Sequence, residues 1–187
     1  MSDLYANITL QGPETAEVVA RLKAQGVIAY VSPAPKQCTI VFHEDYGSQE
    51  RLAADLSAHF QCPVLLVMVF NRAILLYHLY TAGEQIDAYV SSPHEGLELD
   101  GPAPEGDADK LCGAFGAERR VAGVERVLRR PTKPETDYAY AVNRHGELVR
   151  ALGLSLFAAG TGFGQIEAGE LPHGTGFEMN SLVRVGQ

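Results

Sequence analysis

The run Pro63-Val64-Leu65-Leu66-Val67-Met68-Val69-Phe70 constrains this chain more than any other stretch. A segment with no polar side chain cannot turn one face to water. Its length and β-branched content favour a strand over a helix. Such a strand belongs inside a sheet that is covered on both faces.

The segments around it say what kind of sheet this is. Residues 4–10 read as a strand with Leu4, Ala6, Ile8 and Leu10 on one face. Gly12-Pro13 breaks that run, and Pro13 suits a first helical turn. Thr15, Val18, Val19 and Leu22 then form one helical stripe, which Gln25-Gly26 ends. Strands are expected at 27–32 and 37–43, joined by Pro33-Ala34-Pro35 in a hairpin-like link. Ser48 is a good N-cap, with Arg51 where a capping box would place an acid. The helix after it carries Leu52, Leu56, His59 and Phe60 as its stripe. With 63–70 the order is β-α-β-β-α-β, the split pattern of ferredoxin-like domains. Two more strands, 73–81 and 84–91, extend it as a hairpin. The expected fold is therefore α+β: an antiparallel sheet of about six strands, with two helices on one face.

Composition changes at Pro93. Residues 95–109 hold six acids (Glu95, Glu98, Asp100, Glu105, Asp107, Asp109) and no base, which marks a linker. Helical periodicity returns at 107–115, 117–130 and 136–152, with Pro131 and Pro134 between the last two. Val121, Val124 and Leu128 share one face, and Ala141, His145, Leu148 and Leu152 share another. The glycine-rich stretch 160–177 has one strand signal, at 163–167. Three parts result: a ferredoxin-like sheet unit over 1–92, an acidic linker over 93–106, and a helical and glycine-rich segment over 107–187. The last is too small for a separate core, so docking on the sheet is expected.

Whole-chain properties exclude several classes. Apolar types make up 46% of the 187 residues, enough for a packed core. No apolar run approaches the roughly 18–20 residues of a membrane span, and the first 20 residues lack a basic start and an apolar centre, so neither a membrane-spanning nor a secreted protein is expected. Three scattered cysteines, Cys38, Cys62 and Cys112, fit a reducing cytoplasm. Fifteen basic against 23 acidic residues give a net charge of −8, which argues against non-specific nucleic-acid binding.

The 73–91 hairpin carries the most chemistry. Strand parity puts Leu75, Tyr77, Leu79, Ile86, Ala88 and Val90 on a core face, and His78, Tyr80, Asp87 and Tyr89 on the other. A loop of Ala82-Gly83 would set His78 opposite Asp87; a loop of Gly83-Glu84 would set Tyr80 there instead. A histidine beside a carboxylate can serve as a base near neutral pH, which makes His78 and Asp87 the candidate catalytic pair. Tyr80 and Tyr89 are candidate ligand contacts beside them. The alternative is an outer sheet face whose polar side chains simply pair. His145 sits on an apolar stripe and reads as a buried, hydrogen-bonded core histidine. His43-Glu44-Asp45 is a polar strand end, a weak metal signal without further spaced ligands. Gly160-Thr161-Gly162-Phe163-Gly164 fails the dinucleotide and phosphate-loop templates, leaving an aromatic-bearing turn. No metal site and no cofactor are expected.

Between 119 and 133 six bases (Arg119, Arg120, Arg126, Arg129, Arg130, Lys133) face one acid, Glu125, a local balance of +5. Such a helix can meet an acidic partner, or lie against the acidic linker of its own chain. Aromatics are absent from it, so bases would find no stacking platform.

Three stretches, LYHLYTAGEQIDAYVSSP (76–93), RHGELVRALGL (144–154) and GTGFGQIEAGELP (160–172), resemble a family of uncharacterised bacterial proteins. The likeness spans roughly residues 64–172. It implies that the hairpin, the His145 helix and the glycine-rich turn form one unit. The family carries no assigned activity, so the resemblance transfers no site.

These features lead to a cytoplasmic, non-enzymatic interaction module that binds a protein or peptide. Its expected contacts are Arg119, Arg120, Arg126, Arg129 and Arg130. The alternatives are a ligand-sensing regulatory domain, of a kind that often forms homodimers through its sheet, and an enzyme using His78 and Asp87.

Overall fold

The computed structural model of the chain describes residues 4–34, 37–91, 101–131, 140–170 and 178–186. In chain order the elements are β1 (Tyr5–Gln11), α1 (Thr15–Ala24), β2 (Ala29–Val31), β3 (Cys38–His43), α2 (Gln49–Phe60) and β4 (Val64–Phe70). They continue with β5 (Ile74–Thr81), β6 (Glu84–Val90), α3 (Ala108–Ala114), α4 (Val121–Arg129), α5 (Ala141–Leu152), α6 (Phe163–Glu167) and β7 (Val183–Val185). Among the described residues this is an α+β fold, with six α-helices around one seven-stranded antiparallel sheet in the order β6-β5-β4-β1-β3-β2-β7.

The apolar run of β4 lies in the sheet interior between β1 and β5, where water reaches neither face. Its even residues Val64, Leu66 and Met68 join Ile8, Leu10 and Val41 beneath Val18 and Leu22 of α1 and Leu52 and Leu56 of α2. Its odd residues Leu65, Val67 and Val69 face the other way, with Phe42, Leu75 and Tyr77, toward α3, α4, α5 and α6. The second layer comes entirely from the C-terminal half. Burying each such Val or Leu contributes roughly 1.5–3 kcal/mol, so two filled faces are the main source of stability.

Local chemistry sets the element ends. Glu17 Oε2 accepts the Glu14 N–H at 2.9 Å, so α1 begins at Thr15 and Pro13 lies before its N-cap rather than in its first turn. Gly26, at φ +68, stops α1. In α2 the buried stripe is Leu52, Ala53, Leu56 and Ser57, while His59, expected on that stripe, is exposed. The stripe of α5 is as expected, with Ala141, His145, Leu148 and Leu152 all buried.

Two C-terminal assignments differ from expectation. Residues 163–167 form α6, not a strand: five residues are too few to display a helical period. Gly162 lets that turn start hard against β1, where a Cβ would come within 2.9 Å of Tyr5 Cβ. β7, a seventh strand for which the sequence carries no signal, pairs with β2. Pro35, Glu95, Glu98, Asp100, Lys133 and Pro134, and the expected helix start at 136–139, lie outside the described residues, as does 171–177 of the glycine-rich stretch.

Candidate functional site

The β5–β6 hairpin closes on Ala82 and Gly83, with φ of +51 and +87, and pairs Tyr80 with Gln85. That is the first of the two loops the sequence allows. The expected register then breaks. A bulge at Ile86 leaves it exposed and pairs Leu79 with Asp87, His78 with Ala88 and Tyr77 with Tyr89. One extra residue turns every later side chain over. Asp87 and Tyr89 therefore share the face of Tyr77, while His78 and Tyr80 point to the opposite side.

Each pair has its own surroundings. The Tyr77 hydroxyl donates to Asp87 Oδ2 at 2.7 Å, and the Asp107 N–H donates to the same oxygen at 2.9 Å. Tyr89 stacks on Tyr77 at 5.5 Å and donates its hydroxyl to Leu128 O. Lys110 Nζ takes the Ile86 carbonyl that the bulge frees. Asp87 is thus a structural acceptor inside the C-terminal layer. Across the sheet His78 lies beneath α2, with Nδ1 3.3 Å from the Tyr80 hydroxyl and 3.7 Å from Glu50 Oε1. Burial lowers the His78 pKa and the Glu50 carboxylate partly offsets that. The His78–Asp87 pair does not form, because the sheet stands between its members.

The arginine cluster is partly spent within the chain. Arg120 Nη1 donates to the carbonyls of Arg150 and Ala151 at the end of α5. The Arg129 guanidinium donates to the carbonyls of Glu105 and Gly106 and pairs with Glu125 at 3.0 Å. The basic helix thus meets the linker at its backbone. The Arg130 carbonyl accepts from Arg144. Arg119 and Arg126 are exposed.

A cleft of about 460 Å³ opens on the other helical layer, between the C-terminal end of α1 and the N-terminal end of α2. That volume falls within the roughly 300–1,000 Å³ of small-molecule sites. Val27, Ile28 and Leu52 give it an apolar floor, with His43 at the end of β3 beside them. His43 is 7% exposed, and its Nδ1 is buried with no hydrogen-bond partner. Burial lowers its pKa, against the pull of Asp45 and Glu44, so the ring is neutral at pH 7.

The charged groups around the cleft divide into two sets. Asp55 accepts from Arg21 Nη2 at 2.9 Å through both oxygens and from Gln25 Nε2 at 2.7 Å. Asp45 accepts the Ser48 hydroxyl at 2.7 Å and the Gly47 N–H at 2.9 Å, and these bonds hold its carboxyl below the usual range. Both acids are committed to the fold. Glu44 and Arg51 are exposed at the cleft, and no ion pair among the described residues engages either side chain.

His43, Glu44 and Asp45 stand out in the sequence as a weak metal signal. The structure brings them to one cleft, yet no group of three His, Cys, Asp or Glu among the described residues is arranged to hold a metal ion. Arg51 is visible in the sequence only as an odd choice at the third position of α2. Gln25 and Asp55 carry no signal, because the approach of α1 to α2 is a tertiary event. No family model matches the chain, and neither a curated protein nor a solved structure matches it.

Proposed function

We propose that this chain is a non-enzymatic module that holds a small polar ligand in the cleft between α1 and α2. The observation that carries this reading is the cleft itself, a concave space of about 460 Å³ with an apolar lining, a buried histidine whose Nδ1 has no partner, and charges at its rim. Ligand sites combine such a lining with a few orienting polar groups. The reading of the first six elements as a ferredoxin-like unit has two supports. They follow in the order β-α-β-β-α-β, and their strands lie side by side as β4-β1-β3-β2. Three buried free cysteines favour a reducing, cytoplasmic setting. Among the described residues no helix is long and apolar enough to cross a membrane.

A protein or peptide partner bound through the basic helix has weaker support, since Arg120 and Arg129 already hold their own chain. Catalysis by His78 and Asp87 loses its basis with their separation.

The test is thermal unfolding against a panel of amino acids, dipeptides, nucleotides, sugars and organic acids. A ligand at 100 times its dissociation constant adds about 2.7 kcal/mol of stability. Ser48→Trp, on the cleft wall, gives up the Ser48 bond to Asp45 but no cap of α2, and should remove the shift by filling the space. A panel that leaves the midpoint unmoved, or a shift that Ser48→Trp leaves intact, would overturn the assignment.

A further inference from the structure

The unspent charges in the cleft say what kind of ligand it suits. Of its four charged side chains besides His43, Asp45 and Asp55 have their oxygens taken within the fold. Asp55 is neutralised by Arg21, and Asp45 keeps its charge, which Arg51 helps to hold. The two side chains left with neither a hydrogen bond nor an ion pair among the described residues are one anion, Glu44, and one cation, Arg51. The helix ends sort the two signs in the same sense. The C-terminal end of α1, at Gln25 and Gly26, lines the cleft and carries the negative end of that helix dipole. The first turn of α2, with Ser48, Arg51 and Leu52, lines it with the positive end.

Arg51 gains little from folding where it stands. A guanidinium in the first turn of a helix opposes the dipole, completes no capping box, and has no ion-pair partner among the described residues. His43 does carry a cost: its ring is more than nine-tenths buried, with Nδ1 unpaired, beside the same cavity. Two polar groups that the fold leaves without a partner line one space, as a ligand site requires.

We infer that the cleft binds a zwitterion of amino-acid or dipeptide size, its ammonium beside Glu44, its carboxylate beside Arg51, and an apolar side chain over Val27, Ile28 and Leu52. This deepens the proposed function and rests on the cleft being a ligand site. His43 lines the same cleft. A ligand with a single charge would satisfy one rim group and desolvate the other for no return.

The experiment is calorimetric titration of the full chain with L-leucine and L-leucyl-L-leucine, beside leucinamide, which lacks the carboxylate, and N-acetyl-leucine, which lacks the ammonium. At least one zwitterion should bind, and each blocked analogue should bind about tenfold more weakly or worse, as expected for a lost charge-assisted bond. Arg51→Gln should erase the difference between leucine and leucinamide while keeping that between leucine and N-acetyl-leucine. Glu44→Gln should do the reverse. The analogue series on the unaltered protein stands whatever the variants do. Blocked analogues that bind as well as leucine, or penalties that survive both substitutions, would overturn the inference. A nucleotide or sugar that shifts the unfolding midpoint, with Ser48→Trp removing the shift and no zwitterion binding, would overturn it and leave the small-ligand reading intact. A panel without any binder would take both down.

Discussion

His145 shows how a single ring can be read from spacing and then acquire consequences that spacing cannot show. Its place at the second of four apolar positions in α5 is enough to bury it, and the structure leaves it no exposure. The partner was not legible. Tyr5, 140 positions earlier, brings its hydroxyl to 2.9 Å from Nδ1 and stacks on the ring at 5.8 Å. Nε2 is buried without a partner, and burial pushes the pKa down to about 3. In the unfolded chain the ring titrates near 6.5. Between those values the unfolded state holds a proton that the folded state refuses, so stability is complete above about pH 6.5 and falls as the pH drops toward 3. The slope from this one group approaches about 1.4 kcal/mol per pH unit. Urea unfolding at pH 7 and pH 4.5 should show a smaller acid loss in His145→Asn than in the parent, even though the variant starts less stable. Equal losses in the two proteins would contradict the assignment.

Individual elements followed their patterns closely; the relations between them did not. The stripes of α1, α4 and α5, the parity of β1 and the continuous apolar run of β4 are local, and each is legible in a window of a dozen residues. The bulge at Ile86 is not, because what stabilises it lies elsewhere: Tyr77 and the Asp107 amide hold Asp87, and Lys110 holds the freed carbonyl. Gly106 belongs to the same arrangement, since a Cβ there would meet the Tyr77 hydroxyl. The second hidden device is Arg144, 1% exposed, whose guanidinium donates to the Tyr89 hydroxyl and to the carbonyls of Val127, Leu128 and Arg130. It places a cation at the C-terminal end of α4, where the dipole favours one, and ties that end to β6 and α5. Arg144→Met should cost about 3 kcal/mol in denaturant unfolding, because it takes the charged donor from the Val127 and Arg130 carbonyls and leaves the Tyr89 hydroxyl only its own bond to Leu128 O. Arg144→Lys should recover only a minor part, since a point charge cannot fork to four acceptors. Full recovery by lysine would mean that charge alone is what this position needs.

At the level of the whole molecule, the apolar run of β4 already demands two covers, and the sequence locates one of them in α1 and α2. The other is assembled from α3 to α6, and its docking rests on contacts such as Phe42 against Phe157, 5.5 Å apart and edge-on. The cleft was legible only as an odd cluster, His43-Glu44-Asp45, because its opposite wall comes from α1 and its shape is set by how two helices cross the sheet. The two-sided core has a direct test. A fragment of residues 1–91 would bare Phe42, Leu65, Val67, Leu75, Tyr77 and Leu79 along one whole face. It should aggregate or unfold without a cooperative transition, whereas the full chain should melt as one unit by calorimetry and circular dichroism. A soluble fragment with a sharp transition would show that the first 91 residues are a domain in their own right.

The partnership of β7 with β2 bears on how such a chain is made. Ala29 emerges from the ribosome long before Val185, its eventual neighbour, has been translated. Throughout that interval the outer rim of β2 offers bare amide and carbonyl groups to any passing strand. Only three residues are on offer there, too brief a template for a stranger to grip, and that brevity guards the nascent protein until β7 arrives.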